Sequence, residues 1–287
     1  MSNLTYLGVS KENYPIQIKM SKKYKIGLAL SGGVFRGVAH AGAIQALKEH
    51  DIIPDAVIGT SAGAIAGALY ASGKTAEEMM EFVKKWAWIK AVRPGFTLNG
   101  LSSLAFLKEH LLNHLGHDAF EELEKPLYVS VTNMNEGTLE IMNKGSLTDV
   151  IMASCSIPMV FKPVEIDGKI YTDGGVMCNL AIEPLRSECD VLIGVNVMAA
   201  GTVESKSLSN VIGIAQRLFY LSVIGNSRTC INQCDVMIEP EVGDYSIFKI
   251  LTKDFTGIYE AGYEATMKQI PEILRQIEEK VTTPFIV

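Results

Sequence analysis

VIGTSAGAIAGALYASG, residues 57–73, runs from apolar residues into alanines and glycines through Gly59-Thr60-Ser61-Ala62-Gly63. Residues 56–59 read as a short buried strand and 61–71 as a helix rich in Ala and Gly, which puts a G-x-S-x-G pentapeptide on a strand-to-helix turn. A serine at so sharp a turn projects its hydroxyl, and the chain can bend there only if the flanking positions carry no bulk. The helix that begins beside it favours negative charge developing nearby. The bland alternative is a small-residue turn made for close helix packing, which Ala64 and Gly67 would suit. The strand before and the helix after favour a nucleophile at Ser61.

Working outward, strand and helix signals alternate. Residues 24–30, 127–132, 138–143, 190–197 and 236–239 read as strands, and 158–163 with 164–172 contain a turn at Asp167–Gly168. Residues 35–50, 75–90, 101–115, 147–154, 207–226 and 255–280 read as helices, with Thr75 and Glu78 spaced as a capping box and Pro271 marking a break or a new start. Such alternation predicts an α/β fold with a largely parallel sheet covered on both faces. No repeat or Pro/Ser-rich linker interrupts it, so residues 1–23 read as an N-terminal arm and 24–287 as one α/β domain.

The bulk numbers exclude several classes. A chain of 287 residues, 48% hydrophobic, can bury a sizeable core, and its net charge of −6 gives no chain-wide footprint for nucleic acid. Five scattered cysteines do not form a disulfide framework, and Cys230 and Cys234, four apart with no histidine after His117, read as buried thiols and not as a metal site. The first residues lack the basic-then-apolar pattern of a signal peptide, and no apolar run reaches the ~20 residues of a membrane span. The expected location is cytoplasmic.

A second glycine-rich turn lies upstream. SGGVFRG, residues 31–37, follows the first strand and opens a helix, a ready anion site. Gly32 and Gly37 have the first spacing of a phosphate-binding loop, but Val38 and Ala39 stand where Lys and Ser/Thr are needed, and no register gives G-x-G-x-x-G. Nucleotide binding is therefore disfavoured. A histidine-based triad is also the weaker reading. Its histidine would have to come from His110, His114 or His117, a spacing that suits one face of an amphipathic helix. Asp173, ending an apolar strand before Gly174 and Gly175, offers another base, although alone it reads as an ordinary Asp-Gly turn.

Taken together, Ser31-Gly32-Gly33-Val34-Phe35-Arg36-Gly37, Gly59-Thr60-Ser61-Ala62-Gly63 and Asp173-Gly174-Gly175 resemble the motifs of the patatin-like phospholipase family. The stretch ASCSIPMVFKPVEIDGKIYTDGGVMCN, residues 153–179, looks like that family's approach to its aspartate. The likeness covers roughly residues 24–200. It implies a three-layer α/β/α sandwich and a Ser–Asp dyad, with Ser61 as nucleophile, Asp173 as general base, and an oxyanion hole from the backbone of Gly32, Gly33 and Val34. It implies hydrolysis of a lipid or acyl ester through an acyl-enzyme, without metal or organic cofactor. Transient contact with a membrane surface and a homo-oligomer are left open.

Two positions depart from the pattern. Val34 stands where the family usually has a third glycine, and Ala181 where it commonly has proline. A β-branched residue resists positive φ, so Val34 predicts either a negative φ or a reshaped turn. This keeps a second functional class in play, a catalytically weak acyl- or lipid-binding regulator. Arg36 is open between a lipid-phosphate contact and a structural arginine. Residues 84–96, KKWAWIKAVRPGF, suit a membrane surface but read first as core tryptophans with a solvated lysine face. Residues 211–225, apolar nearly all round, read as a buried or dimer-interface helix.

Overall fold

The computed structural model describes residues 23–92, 104–198, 202–243 and 255–282. The expected arm and the aromatic part of residues 84–96 lie outside the described residues and side chains. β1 (Tyr24–Leu30) and β2 (Ala56–Thr60) are apolar runs buried on both faces, as parallel strands must be. Between them a 3₁₀ turn, Val34–Gly37, leads into α1 (Val38–Glu49). After β2 come α2 (Ala62–Ala71), α3 (Ala76–Val92) and α4 (Ala105–Leu115). The Thr75–Glu78 capping box forms reciprocally, with N–H···O distances of 2.8 and 3.2 Å.

β3 (Leu127–Asn133) and β4 (Thr138–Met142) make a hairpin, followed by α5 (Leu147–Ser154) and a second hairpin, β5 (Val164–Ile166) and β6 (Lys169–Asp173). Asp167 and Gly168 turn that hairpin with φ of 50° and 76°. α6 (Glu183–Glu188), β7 (Cys189–Val195), α7 (Val211–Asn226), α8 (Arg228–Ile231), β8 (Val236–Ile238) and α9 (Phe255–Ile277) complete the order. α9 runs through Pro271 without the expected break. The expected helix over 207–226 begins later. A 3₁₀ turn, Ser205–Leu208, precedes it, and Asn210 caps α7 by accepting from Gly213 N–H at 2.9 Å.

The strands form one sheet in the order β5-β6-β3-β2-β1-β7-β8, with β4 also paired to β3. β2, β1, β7 and β8 pair in parallel with their neighbours, whereas β4, β5 and β6 join antiparallel. Alternate strand residues feed two cores. Leu28, Leu30, Val57, Val129, Val131 and Ile193 face one side with α1, α2, α5 and α9. Ala29, Ile58, Tyr128 and Leu192 face the other, with Ile182 and Leu185 of the α6 segment. Helices thus cover both faces of the sheet, as the alternation predicts. α1 and α9 approach closely where Gly42 meets the backbone of Tyr259 and Gly262 meets that of Ala39. No described helix is long and apolar enough to cross a membrane.

The sheet register positions the site. β2 pairs β3 over Leu127–Ser130, with Thr60 opposite Ser130, and β6 takes over from Val131, opposite Asp173. β4 pairs β3 over Val129–Asn133 and so overlaps both stretches from the other edge, which leaves β2 and β6 sharing one edge end to end. The residue after Thr60 and the residue that ends β6 therefore meet.

Candidate active site

Ser61 stands between β2 and α2 with φ 52° and ψ −119°, a conformation that costs a non-glycine residue of order 1–3 kcal/mol and persists only where its surroundings enforce it. Those surroundings are backbone against backbone. A Cβ on Gly59 would strike the Gly63 carbonyl, and one on Gly63 the Leu30 carbonyl. Below the turn, Ser61 N–H donates to Ser154 Oγ at 2.7 Å, and Ser154 Oγ–H donates to the Ser130 carbonyl at 2.8 Å. The hydroxyls of Thr60 and Ser130 lie 2.6 Å apart.

Asp173 is buried, 4% exposed, at the end of β6. Its backbone is fixed from both sides, Asp173 N–H donating to the Ser156 carbonyl at 3.1 Å and Thr132 Oγ1–H to the Asp173 carbonyl at 2.9 Å. Burial pushes its carboxyl up to about 7, although Gly175 N–H, 2.8 Å from Oδ1, and the Ser61 hydroxyl both donate to it and oppose the rise. The Cys155 thiol also faces Ser61, and burial beside Asp173 keeps it protonated far above its usual range. A Cβ on Gly174 would strike the Ser130 carbonyl, so that glycine lets the turn lie against β3.

The Gly32–Val34 loop closes over the pair; a Cβ on Gly32 would come within 3.1 Å of Ser61 Cβ. Its three expected donors are not equivalent. Gly32 N–H is taken by the Asn179 carbonyl at 3.2 Å, which leaves the N–H groups of Gly33 and Val34 free of acceptors among the described residues. Val34 has φ 51°. Of the two outcomes expected from a valine there, the negative φ is not found, because the residue takes the left-handed backbone that favours glycine. Holding a β-branched residue so costs about 1–2 kcal/mol. His40, fully buried on α1, supports the loop with a neutral ring whose Nε2–H donates to the Ser31 carbonyl at 2.8 Å. Burial lowers its pKa to about 4, outweighing that contact.

Two spaces meet at Ser61. An apolar cavity of about 120 Å³ runs from it between Val34, Leu69, Met79, Phe82, Leu107 and Phe161. A smaller one joins Ser61 to Asp173, Asn179, Met198, Phe219 and Tyr220. No histidine lines either space. His110 instead stacks on Phe82 with ring centroids 4.4 Å apart, and α4 ends at Leu115, where Gly116 at φ 81° turns the chain before His117. Arg36 points inward, 4% exposed, donating to Tyr220 Oη at 2.9 Å and the Gly243 carbonyl at 2.8 Å. These contacts fit the structural one of its two readings. Cys230 faces Cys178, with Sγ atoms 3.3 Å apart, both as free thiols. No group of potential metal ligands occurs among the described residues.

Sequence reasoning passed over Ser130, Ser154, His40, Asn179 and Asn226. Ser154 and Asn179 lie within 153–179, but small polar residues give no sign of what they will face. Asn226 Nδ2 donates to the Gly175 carbonyl at 2.9 Å from 51 residues away, and no local pattern announces that.

Comparison with known proteins gives a consistent picture. The profile of the family described as Patatin-like phospholipase matches residues 28–186. An uncharacterised NTE family protein of Mycobacterium bovis is 28% identical over 194 residues, which are 65% of this chain and 53% of that protein. A lysophospholipase of Coccidioides immitis is 32% identical over 181 residues, 61% of this chain and 12% of that one. The chain thus spans about half the length, or far less, of these curated relatives. In structure it is similar to VipD from Legionella pneumophila, with a TM-score of 0.52 at 17% identity over 90% of this chain and 67% of that one. Human GIVD cytosolic phospholipase A2 in complex with methyl gamma-linolenyl fluorophosphonate scores 0.51 at 9% identity, over 91% and 60%. These likenesses establish the α/β/α fold.

Proposed function

The chain belongs to the patatin-like phospholipase family, and we propose that it hydrolyses lipid acyl esters with Ser61 as nucleophile and Asp173 as base. The observation that carries this reading is the meeting of a strained serine, a buried carboxylate and two unengaged backbone donors at the mouth of an apolar cavity. The cavity suits a fatty acyl chain and the donors suit the oxygen of its carbonyl. Asp173, with a pKa near 7, is matched to accepting a proton near neutral pH.

The steps balance without a cofactor. Ser61 Oγ attacks the acyl carbonyl as its proton passes to Asp173. The N–H groups of Gly33 and Val34 hold the resulting oxyanion, each such donor being worth about 10²–10³ in rate. Collapse expels the alcohol, which takes the proton from Asp173 and leaves an acyl-Ser61 ester. Water, deprotonated by Asp173, then releases the fatty acid and restores Ser61. Ser61→Ala and Asp173→Asn are each expected to lower hydrolysis of a p-nitrophenyl acyl ester by about 10³-fold or more while leaving the fold intact. A fluorophosphonate probe should label the wild type and not Ser61→Ala. Undiminished hydrolysis in either variant overturns the dyad.

The regulator reading drew on Val34. The N–H groups of Gly33 and Val34 have no acceptor among the described residues and stay available to an oxyanion, which supports hydrolysis as the reading we carry forward.

A further inference from the structure

α7 is built like a buried helix and is mostly exposed. Its sequence is VIGIAQRLFYLSVIGN, yet only Tyr220 and Val223 are buried. Val211 is 82% exposed, Ile212 66% and Leu218 62%. Ile214 and Leu221 are exposed too, and residues 211, 214, 218 and 221 follow helical spacing along one side. Seven of the fourteen exposed large hydrophobic residues among those described fall within 203–221. Single exposed apolar residues are ordinary; a contiguous set marks a surface that meets something.

The opposite side of α7 roofs the site. Phe219, Tyr220 and Val223 line the space that holds Ser61 and Asp173. Asn226 ties the end of the helix to the turn after Asp173, donating to the Gly175 and Val176 carbonyls at 2.9 and 3.1 Å. One helix therefore joins the exposed apolar surface to the site.

Charge selects what that surface meets. Residues 203–234 hold Lys206, Arg217 and Arg228 against one acidic residue, Glu204, in a chain whose net charge is −6. Lys206 and Arg228 are exposed, and the Arg217 guanidinium lies 5.3 Å from the centre of the Tyr220 ring.

We propose that α7 docks this chain on an anionic lipid surface, lying in the plane of the interface with its apolar side inserted and its cations against the headgroups. An exposed apolar side flanked by more basic than acidic residues suits such a surface. With 16 residues the helix presents about 24 Å of edge. A second copy fits less well, because two-fold packing of α7 on α7 brings Arg217 towards its own copy. Docking places the roof of the Ser61 site against the source of its substrate. The choice of lipid as partner rests on the lipid-hydrolase reading, but binding is measured apart from turnover.

The test uses the full chain with Ser61→Ala for sedimentation with vesicles, and the Ser61 chain for hydrolysis of soluble p-nitrophenyl butyrate. Vesicles of phosphatidylglycerol mixed with phosphatidylcholine should sediment the protein, phosphatidylcholine alone much less, and high salt should weaken the difference. Val211→Glu with Leu218→Glu should lower vesicle binding at least about tenfold and leave soluble ester hydrolysis and thermal stability unchanged. Undiminished binding by the double variant, absence of binding by the parent, or a parent dimer that the double variant splits would each overturn the proposal. A parent that binds vesicles but hydrolyses no ester leaves docking in place and removes the dyad reading instead.

Discussion

Asp173 is a base in a place where burial opposes its charge, and two consequences follow. In the proposed mechanism only the ionised form accepts the Ser61 proton, so kcat/KM for a soluble ester should rise with pH and level off above an apparent pKa of about 7. A flat profile from pH 5 to 8, a range chosen as roughly spanning that value, would remove Asp173 as base. The same shift acts on stability. The folded pKa lies above the ordinary value of 3.8, so the folded state retains its proton while the unfolded chain loses it between pH 3.8 and about 7, and stability falls over that window. Asp173→Asn removes the cost and should be more stable than wild type by about 1–4 kcal/mol near pH 8, the difference vanishing in acid. Equilibrium denaturation at several pH values reads this directly. Val34 has a left-handed φ that glycine adopts without strain, so Val34→Gly should keep kcat within about threefold, against the 10²–10³ expected if a donor were lost.

Each motif works through an element that holds it. The nucleophile turn is shaped by its glycines but is also propped from α5 by the Ser154 hydroxyl, which links Ser61 N–H to the Ser130 carbonyl. Ser154→Ala leaves both groups buried and unpaired. The expected cost is about 1–3 kcal/mol of stability by urea denaturation, with a fall in kcat larger than any rise in KM as Ser61 relaxes from its strained φ. Of the two expectations for α7, a buried helix and a dimer-interface helix, the single chain answers only the first. Uniform apolarity predicts burial only if the chain itself supplies the cover, and here the described residues leave that side open.

Across the whole molecule, Asp235 fastens the end of the chain to the sheet. Its carboxylate accepts from Arg186 Nη1 at 2.9 Å and Leu192 N–H at 2.7 Å and pairs with Lys280. Burial raises its pKa, but those contacts prevail and hold it below the usual range. Stability from this group is therefore full above pH 3.8 and lost as pH falls through the lowered value. Asp235→Asn should cost about 1–3 kcal/mol at neutral pH and leave a smaller deficit in acid, as thermal melts at two pH values would show. The glycine-flanked Ser61, the Asp173–Gly175 turn and the alternation of strands and helices were legible because each is a local constraint, a bend without bulk or a period that repeats. The union of Ser61 with Asp173 depends on β3 exchanging β2 for β6 between Ser130 and Val131, a register that involves residues 112 apart in the chain (173 minus 61). The inward turn of Arg36, the loss of the Gly32 donor to Asn179 and the open side of α7 were likewise decided by tertiary structure. Local pattern determines which residues can bend, cap or alternate; what a side chain faces is set by segments far away in sequence, brought together only when the sheet is assembled.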